Sequence, residues 1–379
     1  MSERQIVVVG AGLAGLASAL TLKDVGLKPL VLERADAVAA AWRARYDRLR
    51  LNTWRGWSHL PDRPFPKGTG KFPTREQVIQ HLERHAADDG IEYRLGTTVN
   101  RIDRDGDRWS VQTDDGDIAS RQVVVATGYE NQPFIPDWPG RDRFEGELLH
   151  ACDYRNPEPH AGKRALVVGP GCTGMEIAFD LAENGAAKVW VSARTPPNIV
   201  LREGPGGLPG DMLGVALMHA PVRFADAFTN FARRMDLGDL TEYGLPVPEE
   251  GVFSRVRRLG VAPAVVDKEI IEAIKDGRIE IVRGVESLAP TSVTMTDGAG
   301  MEPDVIICAT GYARGLEPLV GHLGVLGERG IPRALGPEPA APGLRFVGYV
   351  PRPGGLGYMA KEAKRTAKAI EREMAAVPA

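Results

Sequence analysis

Cysteine is scarce in this chain, and the few that occur are far apart. The 379 residues include 3 cysteines, Cys152, Cys172 and Cys308, and none of them belongs to a C-x-x-C pair. This usage argues against a dithiol redox centre and indicates a reducing compartment, because redox dithiols and disulfides need paired cysteines. We therefore predict a cytoplasmic protein.

An excess of one charge and long apolar runs are also missing. The chain has 47 Lys and Arg residues against 50 Asp and Glu residues, a net charge of −3. That balance gives no reason to expect a nucleic acid or a membrane surface as partner. No apolar stretch approaches the roughly 20 residues that span a bilayer. The first apolar run begins at Gln5, which leaves no room for a signal peptide, and the length suits two globular domains.

The first feature that points to a ligand is a glycine turn near the start of the chain. An apolar run ends at Val9, and Gly10, Gly12 and Gly15 follow before a helix-forming stretch. A buried strand, a tight turn without side chains and a helix N-terminus are what a dinucleotide pyrophosphate needs. The next apolar run ends at Glu33, whose carboxylate can accept hydrogen bonds from an unphosphorylated ribose. An ordinary strand-to-helix turn is the alternative, but the order of these parts favours a dinucleotide site.

The same pattern returns in the middle of the chain. Gly169, Gly171 and Gly174 follow another apolar run and precede a helix-forming stretch. Eighteen residues after the third glycine, where the first copy has its carboxylate, stands Ser192, and Arg194 comes two residues later. A carboxylate would repel a 2′-phosphate, whereas a serine and an arginine would hold one. We predict FAD at the first turn and NADPH at the second, with a solvated surface arginine as the alternative interpretation of Arg194.

An Ala-Thr-Gly-Tyr tetrad also occurs twice, each time after a β-branched run. Thr127 and Gly128 belong to the first copy, and Thr310 and Gly311 belong to the second. Small residues at a strand end allow the backbone to approach a nucleotide closely. Both tetrads are therefore candidate cofactor contacts.

These repeats predict an α/β fold with two Rossmann-like dinucleotide-binding domains of the three-layer ββα type. Short alternating segments, separated by turn residues such as Asp105-Gly106-Asp107 and Asp114-Asp115-Gly116-Asp117, predict antiparallel strands and hairpins. The NADPH-binding domain, residues 158–300, is expected as an insertion into an FAD-binding domain made of residues 1–157 and 301–379. A final helix from about Tyr358 to Met374 can cover the first domain.

Two further helical patterns carry no predicted chemistry. An amphipathic stretch from Phe224 to Arg234 is expected to pack its apolar residues on the second domain. A helix capped by Thr74 places His81 and His85 four residues apart, but no third ligand accompanies them. We expect solvated histidines there and predict no metal site.

A longer motif connects the chain to a known family. The stretch from Phe144 to Arg155 reads F-E-G-E-L-L-H-A-C-D-Y-R and fits F-x-G-x-x-x-H-x-x-x-[YF]-[KR] at all five fixed positions. On this motif the chain resembles the flavin-containing monooxygenases, most closely the plant-type branch that oxidatively decarboxylates indole-3-pyruvate. Further matches lie at 46–51, 72–74, 174–176, 201–203, 238–241 and 244–245. Ala39 and Ala40 depart from the usual Gly-Gly, and Cys172-Thr173 replaces a frequent Asn-Ser.

The resemblance implies an enzyme with FAD, NADPH, O2 and a small organic substrate. NADPH would reduce the flavin, O2 would form a C4a-(hydro)peroxyflavin, and one oxygen atom would enter the substrate. Arg34 and Trp42 would contact FAD, and Asn52 would lie near the flavin, although its amide could instead satisfy loop backbone. His150 is expected to hold the linker between domains rather than to transfer protons.

Several alternatives stay open at this point. The substrate is a carbonyl compound or 2-oxo acid, towards which the plant branch leans, or a nitrogen or sulfur nucleophile. The chain could also be a flavin-dependent NADPH reductase or oxidase that passes electrons to a quinone, a protein or O2. A redox sensor without turnover is a third possibility, and a homodimer is considered as the assembly.

Overall fold

The computed structural model divides the chain into two compact units, each built from separate segments. The first unit consists of Met1–Arg43, Arg55–Gln132 and Tyr312–Ala379, and the second of Ala44–Trp54 and Pro133–Gly311. The structure describes residues 2–87, 90–260, 262–349 and 355–376.

Strands and helices alternate around the two glycine turns, whereas β3 to β9 and β13 to β18 follow one another without an α-helix between them. The strands are β1 (Ser2–Val9), β2 (Pro29–Leu32), β3 (Glu92–Arg94), β4 (Val99–Asp105), β5 (Arg108–Thr113), β6 (Ile118–Val125), β7 (Gln132–Pro133), β8 (Glu147–His150), β9 (Arg164–Val168), β10 (Lys188–Ser192), β11 (Ile199–Leu201), β12 (Ala264–Val266), β13 (Glu280–Val282), β14 (Val285–Leu288), β15 (Val293–Met295), β16 (Gly300–Met301), β17 (Val305–Cys308), β18 (Tyr312–Ala313) and β19 (Leu344–Phe346). The helices are α1 (Leu13–Asp24), α2 (Ala40–Arg43), α3 (Arg75–Ala86), α4 (Cys172–Glu183), α5 (Gly210–Leu217), α6 (Val222–Leu237), α7 (Val252–Leu259), α8 (Lys268–Lys275), α9 (Glu317–Val320) and α10 (Gly355–Ala376).

The first unit is organised around a parallel sheet whose centre is β1. Val7 of β1 pairs with Leu30 of β2 on one side and with Val123 of β6 on the other. The second half of β6 also pairs with β19, while its first half pairs antiparallel with the β4–β5 hairpin. Helix α1 is buried from Leu13 to Leu22, and α10 packs along it. The predicted hairpins and the covering role of the final helix are confirmed.

The second unit has three layers. Its central sheet is parallel, in the order β13-β10-β9-β17-β8, and β14, β15 and β16 form an antiparallel meander. One face of β9 and β17 packs against α4 and α8 and contributes Ala165, Val167, Val305 and Ile307 to one core. The other face packs against the meander and contributes Leu166, Val168, Ile306 and Cys308 to a second core. This alternation follows from the two-residue period of a strand and produces the predicted ββα layering.

Helix α6 forms as predicted, but its apolar stripe does not pack as expected. Phe224 and Phe231 are 59% and 64% exposed, and the buried side chains of α6 are Ala225 and Leu237. The reason is a polar contact on the opposite face, where the Asp226 carboxylate accepts hydrogen bonds from the start of α7. With this contact, the face of α6 that carries Ala225 is buried, and Phe224 and Phe231 point outward.

Helix α3 begins at its predicted cap, and its histidines correct another expectation. Thr74 and Gln77 form a capping box. His81 is not a solvated histidine, because it is 3% exposed and its ring stacks on Phe65 at 4.2 Å between centroids. Burial, and then the neighbouring His85, lower the pKa of His81 to about 4. Among the described residues, no group of three or more His, Cys, Asp or Glu side chains is placed to hold a metal ion.

Candidate functional site

The first glycine turn joins β1 to α1 in the geometry that a dinucleotide needs. Gly10 has a φ of +105°, and a Cβ on it would lie 2.7 Å from the carbonyl oxygen of Ala126. A Cβ on Gly15 would lie 1.8 Å from the Gly10 carbonyl oxygen, so only glycine lets α1 start this close to the strand. Gly12 precedes α1 and faces open space, because a Cβ there would meet nothing within 4 Å outside its chain neighbours.

Glu33 follows β2 and is tied to the glycine turn. Its Oε2 accepts a hydrogen bond from the Ala11 amide at 2.7 Å, and its Oε1 accepts one from the Ala35 amide at 3.0 Å. The neighbouring Arg34 is exposed, and Trp42 is half-buried on α2. The sequence thus placed Glu33 correctly at a strand end, beside the turn.

The first Ala-Thr-Gly-Tyr tetrad closes against this turn. Thr127 is fixed by Tyr349, whose hydroxyl contacts the Thr127 amide at 3.0 Å and the Thr127 hydroxyl at 2.8 Å. Gly128 has a φ of +84°, a left-handed conformation that glycine adopts without strain. The tetrad therefore packs directly against Gly10.

The second glycine turn repeats this construction in the second unit. Gly169 has a φ of +117°, and a Cβ on it would lie 2.4 Å from the carbonyl oxygen of Ala309. A Cβ on Gly174 would lie 1.9 Å from the Gly169 carbonyl oxygen, while one on Gly171 would face open space. Cys172, the first residue of α4, is a neutral thiol here, since burial raises its pKa to about 11.

Ser192 and Arg194 occupy different environments. Ser192 is buried, and its hydroxyl donates to the carbonyl oxygen of Arg283 at 2.8 Å. Arg194 is exposed beyond the end of β10. Of the two side chains predicted to hold a 2′-phosphate, the guanidinium is therefore the one with solvent-facing donors.

The second tetrad is held by the fingerprint histidine. The Nδ1 atom of His150 accepts from the Cys152 amide at 3.1 Å, so its Nε2 carries the proton and donates to the Gly311 carbonyl at 3.1 Å. Burial lowers the pKa of His150, which keeps the ring neutral. The Thr310 hydroxyl donates to the carbonyl of Phe134. Both ring nitrogens of His150 bind backbone, which agrees with a holding role and not with proton transfer.

Asn52 lies in Ala44–Trp54, a segment that packs within the second unit. Its side-chain oxygen accepts a hydrogen bond from Arg202 at 2.9 Å. Arg202 is 2% exposed and also donates to the carboxylates of Glu176 and Asp267. Tyr46 completes this cluster by donating to Glu176 at 2.6 Å.

The sequence reasoning missed the cluster around Arg202. Tyr46, Glu176 and Arg202 all fall in stretches that match the family, but nothing in the sequence showed that they meet. Their only common signal was that each lies in a stretch that matches the family. It does not reveal the partner of each residue, because the contacts are far apart along the chain.

Comparisons with known proteins decide the family. The model of the family described as flavin-binding monooxygenase-like matches residues 3–320. The chain is 35% identical to the indole-3-pyruvate monooxygenase YUCCA1 of Oryza sativa subsp. japonica, over 96% of this chain and 90% of that protein. The chain belongs to the flavin-binding monooxygenase-like family. It is an FAD- and NADPH-dependent monooxygenase that takes O2 and a small-molecule substrate, as the sequence predicted.

Solved structures support the fold of this monooxygenase. A flavin-containing monooxygenase from Stenotrophomonas maltophilia matches with a TM-score of 0.75 and 22% identity, over 99% of this chain and 100% of that one. The OTEMO protein in complex with FAD and NADP matches with a TM-score of 0.73 and 18% identity, over 98% and 84% of the two chains. The predicted fold class, with two Rossmann domains, is confirmed.

The residues at both turns of the monooxygenase suit dinucleotides. Gly12 and Gly171 each leave open space at a helix N-terminus, and among the described residues no side chain caps α1 or α4. Neither helix has an acidic residue in its first turn, so the positive end of each helix dipole is available to phosphate. In the part of the chain that the structure describes, no helix has the length and hydropathy to cross a membrane.

Proposed function

We propose that this monooxygenase oxidatively decarboxylates a 2-oxo acid with an aromatic side chain. The observation that carries the proposal is the 35% identity, over 96% of the chain, to an indole-3-pyruvate monooxygenase. The resemblance to the plant-type branch also leaned towards carbonyl substrates.

FAD is assigned to the first turn. Gly10, Gly12 and Gly15 bring backbone amides to the pyrophosphate, and Glu33 accepts hydrogen bonds from the ribose hydroxyls. Glu33 keeps lone pairs for this role, since each carboxylate oxygen accepts one backbone amide. Arg34, Trp42, Thr127 and Gly128 are assigned to the surroundings of the same cofactor.

NADPH is assigned to the second turn, at Gly169, Gly171 and Gly174. Arg194 binds the 2′-phosphate through charge-assisted hydrogen bonds. Ser192 supports the site through its bond to the Arg283 carbonyl. Thr310 and Gly311 border the turn, and the domain limits of 157 and 300 stay a prediction, because packing units do not define ligand domains.

The chemistry requires a hydride, a proton and O2 for each turnover. When bound, FAD accepts the hydride of NADPH and passes two electrons to O2. The bond between the carbonyl carbon and the carboxylate of the substrate breaks and releases CO2. One oxygen atom enters the new carboxylate and the other leaves as water, so that 2-oxo acid, NADPH, H⁺ and O2 become the shortened acid, CO2, NADP⁺ and water.

Asn52 is assigned to the neighbourhood of the flavin, as a hydrogen-bond donor. Its side-chain oxygen is already bound by Arg202, which leaves the two N–H bonds of the amide. A fixed donor stabilises negative charge that develops on oxygen.

The test is product analysis under ¹⁸O2 with the FAD-loaded protein, NADPH and catalase, because free H2O2 decarboxylates 2-oxo acids without an enzyme. Indole-3-pyruvate and phenylpyruvate should give CO2 and an arylacetate with one ¹⁸O atom, in proportion to the NADPH consumed. An amine or a thioether that is oxygenated while both 2-oxo acids are left intact would contradict the substrate class. NADPH consumption without labelled arylacetate would instead indicate an oxidase.

The assembly and the location of the enzyme are also proposals. We retain a homodimer in the cytoplasm, without a nucleic-acid or membrane partner. Light scattering after gel filtration tests the dimer, and cell fractionation tests the location.

A further inference from the structure

Asn52 lies in the segment Ala44–Trp54, which contacts the rest of the second unit, Pro133–Gly311, at several points. Asp47 binds Arg155 of the fingerprint through its amide, at 2.9 Å, and through its carboxylate, at 2.8 Å. The guanidinium of Arg48 lies 4.7 Å from the ring centroid of Phe179 on α4. The amide of Trp54 donates to Asp211 at 2.9 Å. Asn52 is therefore held in place by the second unit, which carries the glycine turn assigned to NADPH.

Arg202 is the buried centre of the contacts around Asn52. Its Nη1 donates to Asp267 at 2.7 Å, and its Nη2 donates to Glu176 and, at 2.9 Å, to Asn52. Asp267 stands at the N-cap of α8 but does not cap that helix, because its carboxylate turns to Arg202 instead. Such a buried guanidinium is held by the geometry of several partners at once.

The charges of the cluster balance. The two carboxylates, Glu176 and Asp267, face Arg202 and the half-exposed Arg50, which lies 3.2 Å from Asp267. Burial raises the pKa of the Glu176 carboxyl, and the Arg202 guanidinium opposes that rise. Removing Arg202 would leave the buried Glu176 carboxylate without its counter-charge, whereas the half-buried Asp267 would keep Arg50.

A guanidinium fixes which way an amide points. It has donors and no acceptor, so Arg202 must contact the oxygen of Asn52, and the N–H₂ group of Asn52 must point elsewhere. We propose that Arg202 is a positioning residue, which holds Asn52 with its amide donors directed away from the cluster. This proposal rests on the proposed role of Asn52 beside the flavin.

The cluster also connects Asn52 to the NADPH turn. Glu176 is the fifth residue of α4, the helix that Gly171 precedes as N-cap, and it binds the same Nη2 atom as Asn52. A displacement of α4 by a bound dinucleotide would therefore reach Asn52 through a single guanidinium. Asn52 is positioned by the unit that carries NADPH, not by the unit assigned to FAD.

The experiment compares Arg202→Lys, Asn52→Ala and the double variant, all loaded with FAD. Arg202→Lys keeps the charge but loses the fork of donors, and it avoids the unfolding expected of Arg202→Ala. The first readout is the change in the visible spectrum of the bound oxidised flavin when NADP⁺ is added. The second is the product formed per NADPH consumed.

Arg202→Lys and Asn52→Ala should alter the spectrum in the same way and lower product per NADPH by about 5- to 10-fold, with NADP⁺ affinity changed less than about 3-fold. In the Asn52→Ala background, Arg202→Lys should have no further effect. Arg50→Lys is the matched control, because Arg50 shares Asp267 but does not hold Asn52, and it should behave as wild type.

Equal effects of Arg202→Lys in both backgrounds would overturn the proposal, as would an Asn52→Ala variant that matches wild type in both readouts. A wild-type enzyme that oxygenates no substrate would refute the proposed function instead. The spectral comparison would still decide the role of Arg202 in that case.

Discussion

The carboxylate of Glu33 accepts a hydrogen bond from the amide of Ala11 at 2.7 Å. This bond joins the end of β2 to the middle of the first glycine turn. It leaves the carboxylate beside the turn, and the remaining lone pairs of its two oxygens are free to accept the ribose hydroxyls of FAD. The same residue therefore shapes the turn and, in our proposal, binds the cofactor that lies on it.

Glu33→Gln should weaken FAD binding. The amide keeps one acceptor but loses the charge, and hydrogen bonds to charged groups contribute about 1.5–3 kcal/mol each, which corresponds to a loss of about 10- to 100-fold in affinity. Fluorescence titration of the FAD-free protein measures the dissociation constant. Glu92→Gln, on β3 of the same sheet, is the control and should bind FAD within about twofold of wild type. Equal affinities for all three proteins would refute the assignment of Glu33.

Arg194 and Ser192 should contribute unequally to cofactor choice. Arg194→Ala removes an exposed guanidinium and should raise the KM for NADPH about 10- to 100-fold, with little change for NADH, which lacks the 2′-phosphate. Ser192→Ala should raise both KM values to a similar extent, since its hydroxyl binds the Arg283 carbonyl. Steady-state kinetics with both nucleotides separates the two cases. Equal effects of Arg194→Ala on NADPH and NADH would remove the 2′-phosphate argument.

The features that could be predicted from the sequence were the repeated motifs and the structures formed by neighbouring residues. Gly10 and Gly169 were recognised because each stands between an apolar run and a helix, and their geometry depends on residues only a few positions away. The covering helix and the antiparallel hairpins follow from periodicity in the same way. The fold class and the cofactors could therefore be predicted before any coordinates.

Contacts between distant parts of the chain could not be predicted. Arg202 and Asn52 are 150 residues apart, and Tyr46 and Glu176 are 130 apart, so no spacing rule connects them. The prediction that the apolar residues of α6 pack on the second domain was wrong for a similar reason. Periodicity shows that one face of the helix is apolar, but the Asp226 contact with α7 decides which face is buried.

Ala39→Gly should stabilise the enzyme. Ala39 has a φ of +58°, and the resemblance to the flavin-containing monooxygenases predicts glycine at this position. This left-handed conformation costs an L-residue about 1 kcal/mol, whereas glycine adopts it without that cost. The free energy of unfolding in urea should rise by about 0.5–1 kcal/mol. Ala40→Gly, at the first residue of α2, is the control and should not raise the free energy of unfolding. Loss of stability in both variants would show that Ala39 carries no strain.

Acid should destabilise the first unit through His81. The pKa of His81 is lowered to about 4 in the folded protein, because the ring is buried and His85 lies beside it, while the unfolded chain has the ordinary value of 6.5. A proton therefore binds the unfolded chain first. The contribution of neutral His81 to stability is complete above about pH 6.5 and is lost as the pH falls towards 4, by about 3 kcal/mol in total.

His81→Leu should remove this part of the acid sensitivity. The apolar side chain fills the buried position next to Phe65 without a titrating group, so the variant should lose about 3 kcal/mol less than wild type between pH 7 and pH 4. Urea unfolding at several pH values gives both curves. His219→Gln, at an exposed histidine two residues beyond the end of α5, is the control and should follow the wild-type curve. If the free energy of unfolding falls equally with pH in wild type and His81→Leu, a group other than His81 is responsible for the acid sensitivity.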